Sequence, residues 1–243
     1  MEYKLNADYH THTTFSDGKS SIQENVEQAI KIGLKTIGIA DHGFNHRLAG
    51  IKREDIPVMR QEVERLQKLY PQIKILLGVE ANLLNLNGDL DVNEEDLKNF
   101  DYILCGIHYF TYGKKVKGSF KFNFRNLFKP SKKYIEKITD SYIKAMEKYP
   151  IKVIVHPNYV VPVNIKRLAK AAYEKGIFIE FNGKRTEFNE QQTQELIDSK
   201  VQFIIGSDAH SAERIGEFSI PLNYIKKNNI PLERIVNLEE KND

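Results

Sequence analysis

Apolar residues along this chain fall into two rhythms that take turns. Short continuous apolar runs, the mark of strands covered on both faces, alternate with stretches in which apolar residues return every three or four positions, the mark of amphipathic helices. Residues 4–9 are predicted as a first strand that ends in His10 and His12. Ser21 and Glu24 have capping-box spacing, and Ile22, Val26, Ala29 and Ile30 repeat at helical period, so a helix runs to about residue 32 and Gly33 ends it. Residues 36–40 form a second strand that delivers Asp41 and His42. Residues 55–70 are helical, with Val58, Val63, Leu66 and Leu69 on the predicted inner side and Pro71 as the stop. Strands at 73–79, 102–107, 152–155, 177–181 and 201–206 follow, separated by helices at 94–99, 131–149, 164–175 and 189–199.

Seven strand-then-helix units imply parallel pairing through right-handed crossovers. With no linker between them, the expected fold is α/β, a distorted (β/α)7 TIM-like barrel forming one domain over residues 1–243. The polar residues support a closed barrel. Glu80, His108, His156, Asp208 and His210 each come just after a predicted strand, at the face where barrel enzymes build their sites. An open doubly wound sheet would instead gather its ligand at one switch point, and neither glycine-rich phosphate fingerprint occurs.

Composition narrows the class. With 243 residues, 41% apolar and 28% charged, the chain can bury one sizeable core. No apolar run reaches the roughly 18 residues that span a bilayer. The first residues lack the layout of a secretory signal, so a cytoplasmic protein without a membrane partner is expected. The single Cys105 excludes an internal disulfide and lies in the apolar run 102–107, which fits core packing better than a nucleophile. A net charge of +3 makes no case for nucleic acid, yet it suits an anionic substrate.

One segment stands apart. Residues 113–130 carry Lys114, Lys115, Lys117, Lys121, Arg125 and Lys129 among Phe120, Phe122, Phe124 and Phe128, with no acidic residue. The alternation is strand-like and predicts a short hairpin or loop over the site. Such a segment serves either as a solvated insertion with its phenylalanines packed inward or as a lid or clamp for an anionic substrate. Basic residues interleaved with aromatics also fit single-stranded nucleic acid.

The chemistry begins at His10-Thr11-His12. Two histidines one residue apart on an extended segment project to the same side, and the turn Ser16-Asp17-Gly18 brings a carboxylate back beside them. Six of the seven histidines, His10, His12, His42, His108, His156 and His210, follow strands. One such histidine is usually a satisfied polar residue; six of them joined by Asp17, Glu80 and Asp208 form a metal-ligand set. Imidazole with carboxylate suits zinc, iron or manganese, and the lack of thiolates argues against a closed structural zinc site. His46, with Arg47, sits in the loop after His42, as solvated loop or as substrate contact. Glu180 and Asn182 are two apart and face one side of their strand, either orienting ligands or substrate or pairing as buried polar groups.

In order along the chain, Asp8-Tyr9-His10-Thr11-His12, Ser16-Asp17-Gly18, Ala40-Asp41-His42, Gly78-Val79-Glu80, Gly106-Ile107-His108, Val155-His156-Pro157 and Gly206-Ser207-Asp208-Ala209-His210 resemble the motifs of the PHP (polymerase and histidinol phosphatase) family. The resemblance covers essentially the whole chain and implies three divalent transition-metal ions, zinc, manganese or iron. It assigns His10, His12, Glu80 and Asp208 to a first ion, Glu80 as bridge with His108 and His156 to a second, and Asp17, His42 and His210 to a third. The implied activity is hydrolysis of a small phosphomonoester by a metal-bridging hydroxide. Arg185 and Arg214 are the arginines nearest the site face, as phosphate contacts or as ordinary surface ion pairs, with Lys184 ranked behind them. Asp17 or His210 is a candidate proton donor to the leaving group.

Within the family, Gly216-Glu217-Phe218 and residues 231–237 look like the compact bacterial YcdX-type phosphatases. Histidinol-phosphate phosphatases are the alternative. They commonly follow the sixth strand with Asn-Thr-Ser-Gly and an arginine, where this chain has the shorter Asn182-Gly183-Lys184-Arg185. Nucleic-acid processing and a non-catalytic metal module are competing classes; the near-neutral charge weighs against the first and the complete ligand set against the second.

Overall fold

A computed structural model describes residues 2–111, 113, 116–185 and 188–241. Its first strands are β1 (Tyr3–Leu5) and β2 (Ala7–Thr11), followed by α1 (Ile22–Lys31), β3 (Thr36–Ile39), α2 (Ile56–Leu69) and β4 (Lys74–Asn82). The middle of the chain forms α3 (Glu94–Leu97), β5 (Tyr102–Gly106), α4 (Ser119–Arg125), α5 (Lys132–Lys148) and β6 (Ile151–Ile154). The last part forms α6 (Ile165–Lys175), β7 (Phe178–Asn182), α7 (Glu190–Asp198), β8 (Phe203–Gly206), α8 (Ser219–Lys227) and β9 (Leu238–Glu240). Strands β2 to β8 pair in parallel, in sequence order, as a seven-stranded sheet nearly closed into a barrel. Among the described residues no helix is long and apolar enough to cross a membrane.

Burial explains the apolar runs. One apolar layer lies between the sheet and the outer helices, and a second, of Ala40, Tyr102, Leu104, Val153, Val155 and Ile204, forms a separate buried cluster. Tyr102 takes its place because Gly78 leaves room: a Cβ there would overlap the phenol ring. The polar site forms at the C-terminal ends of the strands.

The seam between β2 and β8 is closed mainly by side chains. Buried Asn237 donates from Nδ2 to Ala7 O at 2.8 Å and Ile205 O at 2.7 Å, while its Oδ1 accepts from Ile205 N at 2.9 Å. Buried Asp8 accepts from Ser207 N at 3.2 Å and Gly216 N at 2.9 Å. Near the site end, His12 N donates to Ala209 O at 2.8 Å.

Four expectations need correction. The predicted first strand is two: Asn6 separates β2 from β1, which pairs antiparallel with β9, a three-residue strand too short and too polar to leave a pattern. On α2 the buried face is Ile56, Met59, Val63 and Leu66. Val58 and Leu69 are both 54% exposed, since at about 100° per residue they stand well over a quarter turn from Val63. The strand-like segment 113–130 contains helix α4. With no neighbouring edge to pair with, its polar residues decide: Asn123 donates to His108 O at 3.2 Å and Thr111 Oγ1 at 3.1 Å, and Ser119 to Gly113 O at 2.9 Å. These bonds bury Ser119 and Asn123 and leave Phe120, Phe124 and Phe128 exposed; of the four phenylalanines only Phe122 packs inward. Lys114 and Lys115 lie outside the described residues.

Replacing Asn237 by Ala orphans three buried backbone groups and should cost about 3 kcal/mol. Urea unfolding is expected to show the lower midpoint; a midpoint equal to wild type would mean the seam closes without it. Cys105 is fully buried and its thiol is pushed well up by burial, so a thiol reagent at pH 8 is expected to label the protein only on unfolding.

Candidate metal centre

Glu80, at the C-terminal end of β4 and without solvent exposure, stands at the middle of the site. Its Oε1 lies 2.9 Å from His108 Nε2, 2.8 Å from His156 Nε2 and 3.4 Å from His10 Nε2. Its Oε2 lies 2.7 Å from His42 Nδ1 and 3.7 Å from His12 Nε2. Strand register sets this up: His42 and Glu80 are bridged partners past the ends of the β3–β4 pairing, with Gly43 N donating to Glu80 O at 2.8 Å.

Asp208 and Asp17 complete the ring of acids. Asp208 Oδ1 is 3.5 Å from His12 Nε2 and 4.0 Å from His10 Nε2. Asp17 Oδ1 is 3.3 Å from His210 Nε2 and 3.6 Å from His42 Nε2. Four groups of donor atoms each fall within 4.8 Å of one another: His10, Glu80 and His156; His10, His12 and Asp208; His42, Glu80 and His108; and His12, Asp17, His42 and His210. His156 and Asp208 hold their places at positive φ, 31° and 52°, a strained geometry for residues with a side chain.

The spacing fits cations. Donors about 2.1 Å from one tetrahedral ion stand about 3.4 Å apart, which matches the His10–Glu80, His12–Asp208, His42–Asp17 and His210–Asp17 separations of 3.3 to 3.6 Å, while His42, His108 and His156 stand closer to Glu80, at 2.7 to 2.9 Å. These nitrogens and oxygens are also starved of partners. Among the described residues, His10 Nε2, both ring nitrogens of His12 and His156 Nδ1 are buried without a hydrogen bond, and His42 Nδ1, Glu80 Oε2 and His108 Nε2 have only their close imidazole–carboxylate contacts. Each would cost about 1–3 kcal/mol if nothing met it. The donor set therefore fits divalent transition metals.

The ring tautomers are set from behind. Asn82 donates from Nδ2 to Asp91 Oδ2 at 2.6 Å, which turns its Oδ1 toward His108 Nδ1 at 2.7 Å. His108 Nδ1 must then donate, leaving Nε2 with its lone pair toward Glu80. Glu180 Oε1 does the same for His10 Nδ1 at 2.7 Å, and Gly206 allows it, because a Cβ there would overlap the Glu180 carboxylate. Asn182 joins Glu180 to Asp208, donating 3.1 Å to each. Buried Asp41 accepts from Thr13 N at 2.6 Å, Thr13 Oγ1 at 2.7 Å and Ser16 Oγ, fixing the turn that carries Asp17.

Charge follows the same division. Burial lowers His12 to about 3 and His108 to about 4, so both are neutral and ligand-competent. Burial opposes ionisation of Glu80 and Asp208, but the surrounding imidazoles outweigh it and hold both carboxyls well below the ordinary range.

The residues open onto a cavity of about 210 Å³. Arg185 lines it with its guanidinium 4.0 Å above the Tyr159 ring, and so does Lys184, whose Nζ lies 2.9 Å from Asp208 Oδ1 and 3.0 Å from His210 Nδ1. Arg214 is exposed on the 3-10 turn Ala212–Arg214, outside the cavity lining. His46 stacks on His42 at 4.8 Å and lines the cavity; burial and the charge of His42 lower it to about 4. Sequence reasoning missed Tyr109, Phe110 and Tyr159, although each follows a site histidine by one to three residues. It also missed Asp91, which carries no motif.

A family model described as PHP domain matches residues 8–184. The chain belongs to the PHP domain family. This PHP domain is 28% identical over 251 residues to a probable phosphatase of Caldanaerobacter subterraneus subsp. tengcongensis, covering 98% of the chain and 89% of the relative. It is 30% identical over 250 residues to a probable phosphatase of Thermoanaerobacter sp. (strain X514), covering 97% and 91%. Among solved structures it is similar to histidinol phosphate phosphatase from Lactococcus lactis subsp. lactis, described in complex with zinc, L-histidinol and phosphate. That likeness has a TM-score of 0.61 at 18% identity over 92% of this chain and 94% of the other. Family, curated relatives and donor set agree: this PHP domain is a metal-dependent phosphatase.

Asp91→Asn should let the Asn82 amide turn, present a donor to His108, and weaken metal binding about 10- to 100-fold. Chelator competition reads this directly. Unchanged affinity would mean Asn82 is held by other contacts.

Proposed function

We propose that the chain hydrolyses small phosphomonoesters at a trinuclear centre. The observation that carries this reading is the buried Glu80 carboxylate facing five imidazoles, beside a small cavity that also presents Lys184 and Arg185. His10, His12, Glu80 and Asp208 would hold one ion, Glu80 with His108 and His156 a second, and Asp17, His42 and His210 a third. His42, whose two ring nitrogens face Glu80 and Asp17, lies between the last two. Zinc, manganese or iron bound there supplies Lewis acidity toward the phosphoryl group and lowers the pKa of the attacking water.

The chain's own groups do the rest. Glu180, Asn82 and Asp91 hold the imidazoles in the tautomer that offers Nε2. Lys184 and Arg185 take up charge on the non-bridging phosphate oxygens, Lys184 leaving Asp208 as that carboxylate is engaged. Of the two candidate proton donors, His210 serves the departing alkoxide where the third ion leaves its ring free; Asp17, held ionised by the imidazoles of His210 and His42, accepts rather than donates. Arg214 is the weaker candidate for phosphate contact, since it is exposed away from the cavity.

Histidinol phosphate is the specific alternative substrate, supported by the likeness to the histidinol phosphate phosphatase fold and opposed by the shorter Asn182-Gly183-Lys184-Arg185 stretch. Nucleic-acid cleavage ranks below both.

Elemental analysis paired with turnover of an aryl phosphate and of histidinol phosphate tests the proposal. Three ions per chain and hydrolysis of either ester is the expected result; a metal-free protein, or a fully loaded inert one, would overturn it. Glu80→Gln should lose metal and activity together. Lys184→Ala and Arg185→Ala should each lower kcat/KM about tenfold, near 1.4 kcal/mol, at unchanged metal content.

A further inference from the structure

Phe110 breaks two habits of folded chains at once. Its bulky side chain sits on left-handed backbone, φ 60°, which such residues rarely enter, and the residue is 54% exposed where it lines the cavity. The conformation is enforced. Phe110 N donates to Asn123 Oδ1 at 3.1 Å, and Phe110 O accepts from Arg47 N at 3.2 Å. Asn123 is fixed in turn by its bonds to His108 O and Thr111 Oγ1, and Thr111 bridges antiparallel to His46. Helix α4 buries Ser119 and Asn123 beside Phe122 on its inward face and leaves Phe120 and Phe124 exposed, so polar residues take part of the face that an ordinary amphipathic helix fills with apolar ones. Backbone strain that is pinned from several directions marks function when it lies at a site.

The cavity gives the strain a purpose. About 210 Å³ is below the roughly 300–1,000 Å³ of ordinary ligand pockets, room for a phosphoryl group and little more. The alcohol half of an ester must therefore lie across the rim, where Tyr109, Phe110 and Tyr159 present aromatic surface.

We propose that Phe110 is a specificity-determining residue, a fixed apolar platform that packs against the alcohol portion of the substrate and selects esters carrying a planar or aromatic group over compact polyol esters. The proposal rests on the phosphomonoester reading above. With its backbone pinned at both N and O, the Phe110 ring has only its two side-chain torsions left to order when it meets a ligand, so it offers contact area at small entropic cost.

The test compares phenyl phosphate with glycerol 2-phosphate on metal-loaded wild type, Phe110→Ala, Phe110→Tyr and Phe110→Gly, with calorimetric binding of phenylphosphonate and methylphosphonate alongside. Phe110→Ala should lose about tenfold in kcat/KM for phenyl phosphate, mostly through KM, with less than about twofold change for glycerol 2-phosphate. Phenylphosphonate should weaken in step while methylphosphonate does not. Phe110→Tyr should keep the selectivity. Phe110→Gly should lose it while melting higher, because glycine enters the left-handed region freely. An unchanged phenyl-to-glycerol ratio in Phe110→Ala, or equal losses on both esters, would overturn the platform alone. Fully loaded wild type that hydrolyses neither ester would overturn the phosphomonoester reading and the platform with it.

Discussion

A carboxylate with no solvent exposure, ringed by imidazole nitrogens, is the constraint on which this structure turns. Removing an ionised group from water is expensive unless opposite charge meets it. Glu80 meets nitrogens from β2, from the loops after β3 and β5, and from the loop after β6, so none of these elements can move away without leaving the buried carboxylate less compensated. Protons on some imidazoles can supply part of the countercharge: against burial, the acids raise His10, His42 and His156 above the ordinary value. Divalent cations would supply it more fully, and would also satisfy the ring nitrogens that face the acids without a hydrogen-bond partner.

The buried acids divide into two kinds. Asp8, Asp41 and Asp91 accept mainly backbone N–H groups, hydroxyls and an amide, and burial pushes their carboxyls above the ordinary value. They are fasteners: Asp8 ties β2 to β8, Asp41 fixes the Asp17 turn, and Asp91 orients Asn82 behind His108. Glu80 and Asp208 face imidazoles and stay charged. The same residue type thus builds the frame and lines the candidate metal centre, and the partner decides which.

Much of this was legible in the sequence because parallel strands buried on both faces leave apolar runs, and each run stops where a site residue begins. His42, Glu80, His108 and His156 are readable for that reason, and the structure brings them together around Glu80. The illegible parts are long-range or local exceptions. β9 has three residues and earns its place only by pairing with β1. The Phe alternation around 120–124 imitates a strand, yet Asn123 and Ser119 bond to the loop after β5 and wind it into a helix. Asp91 acts through Asn82 on His108, two contacts removed from the chemistry, and nothing in its own neighbourhood of sequence signals that.

The most direct test of the account is anomalous diffraction at the zinc, manganese and iron edges from crystals of the metal-loaded protein. Anomalous peaks are expected within bonding distance, about 2.0–2.3 Å, of Glu80 and of His10, His12, His108 and His156. Glu80 surrounded by water or protonated imidazole alone, with metal bound elsewhere or not at all, would contradict it.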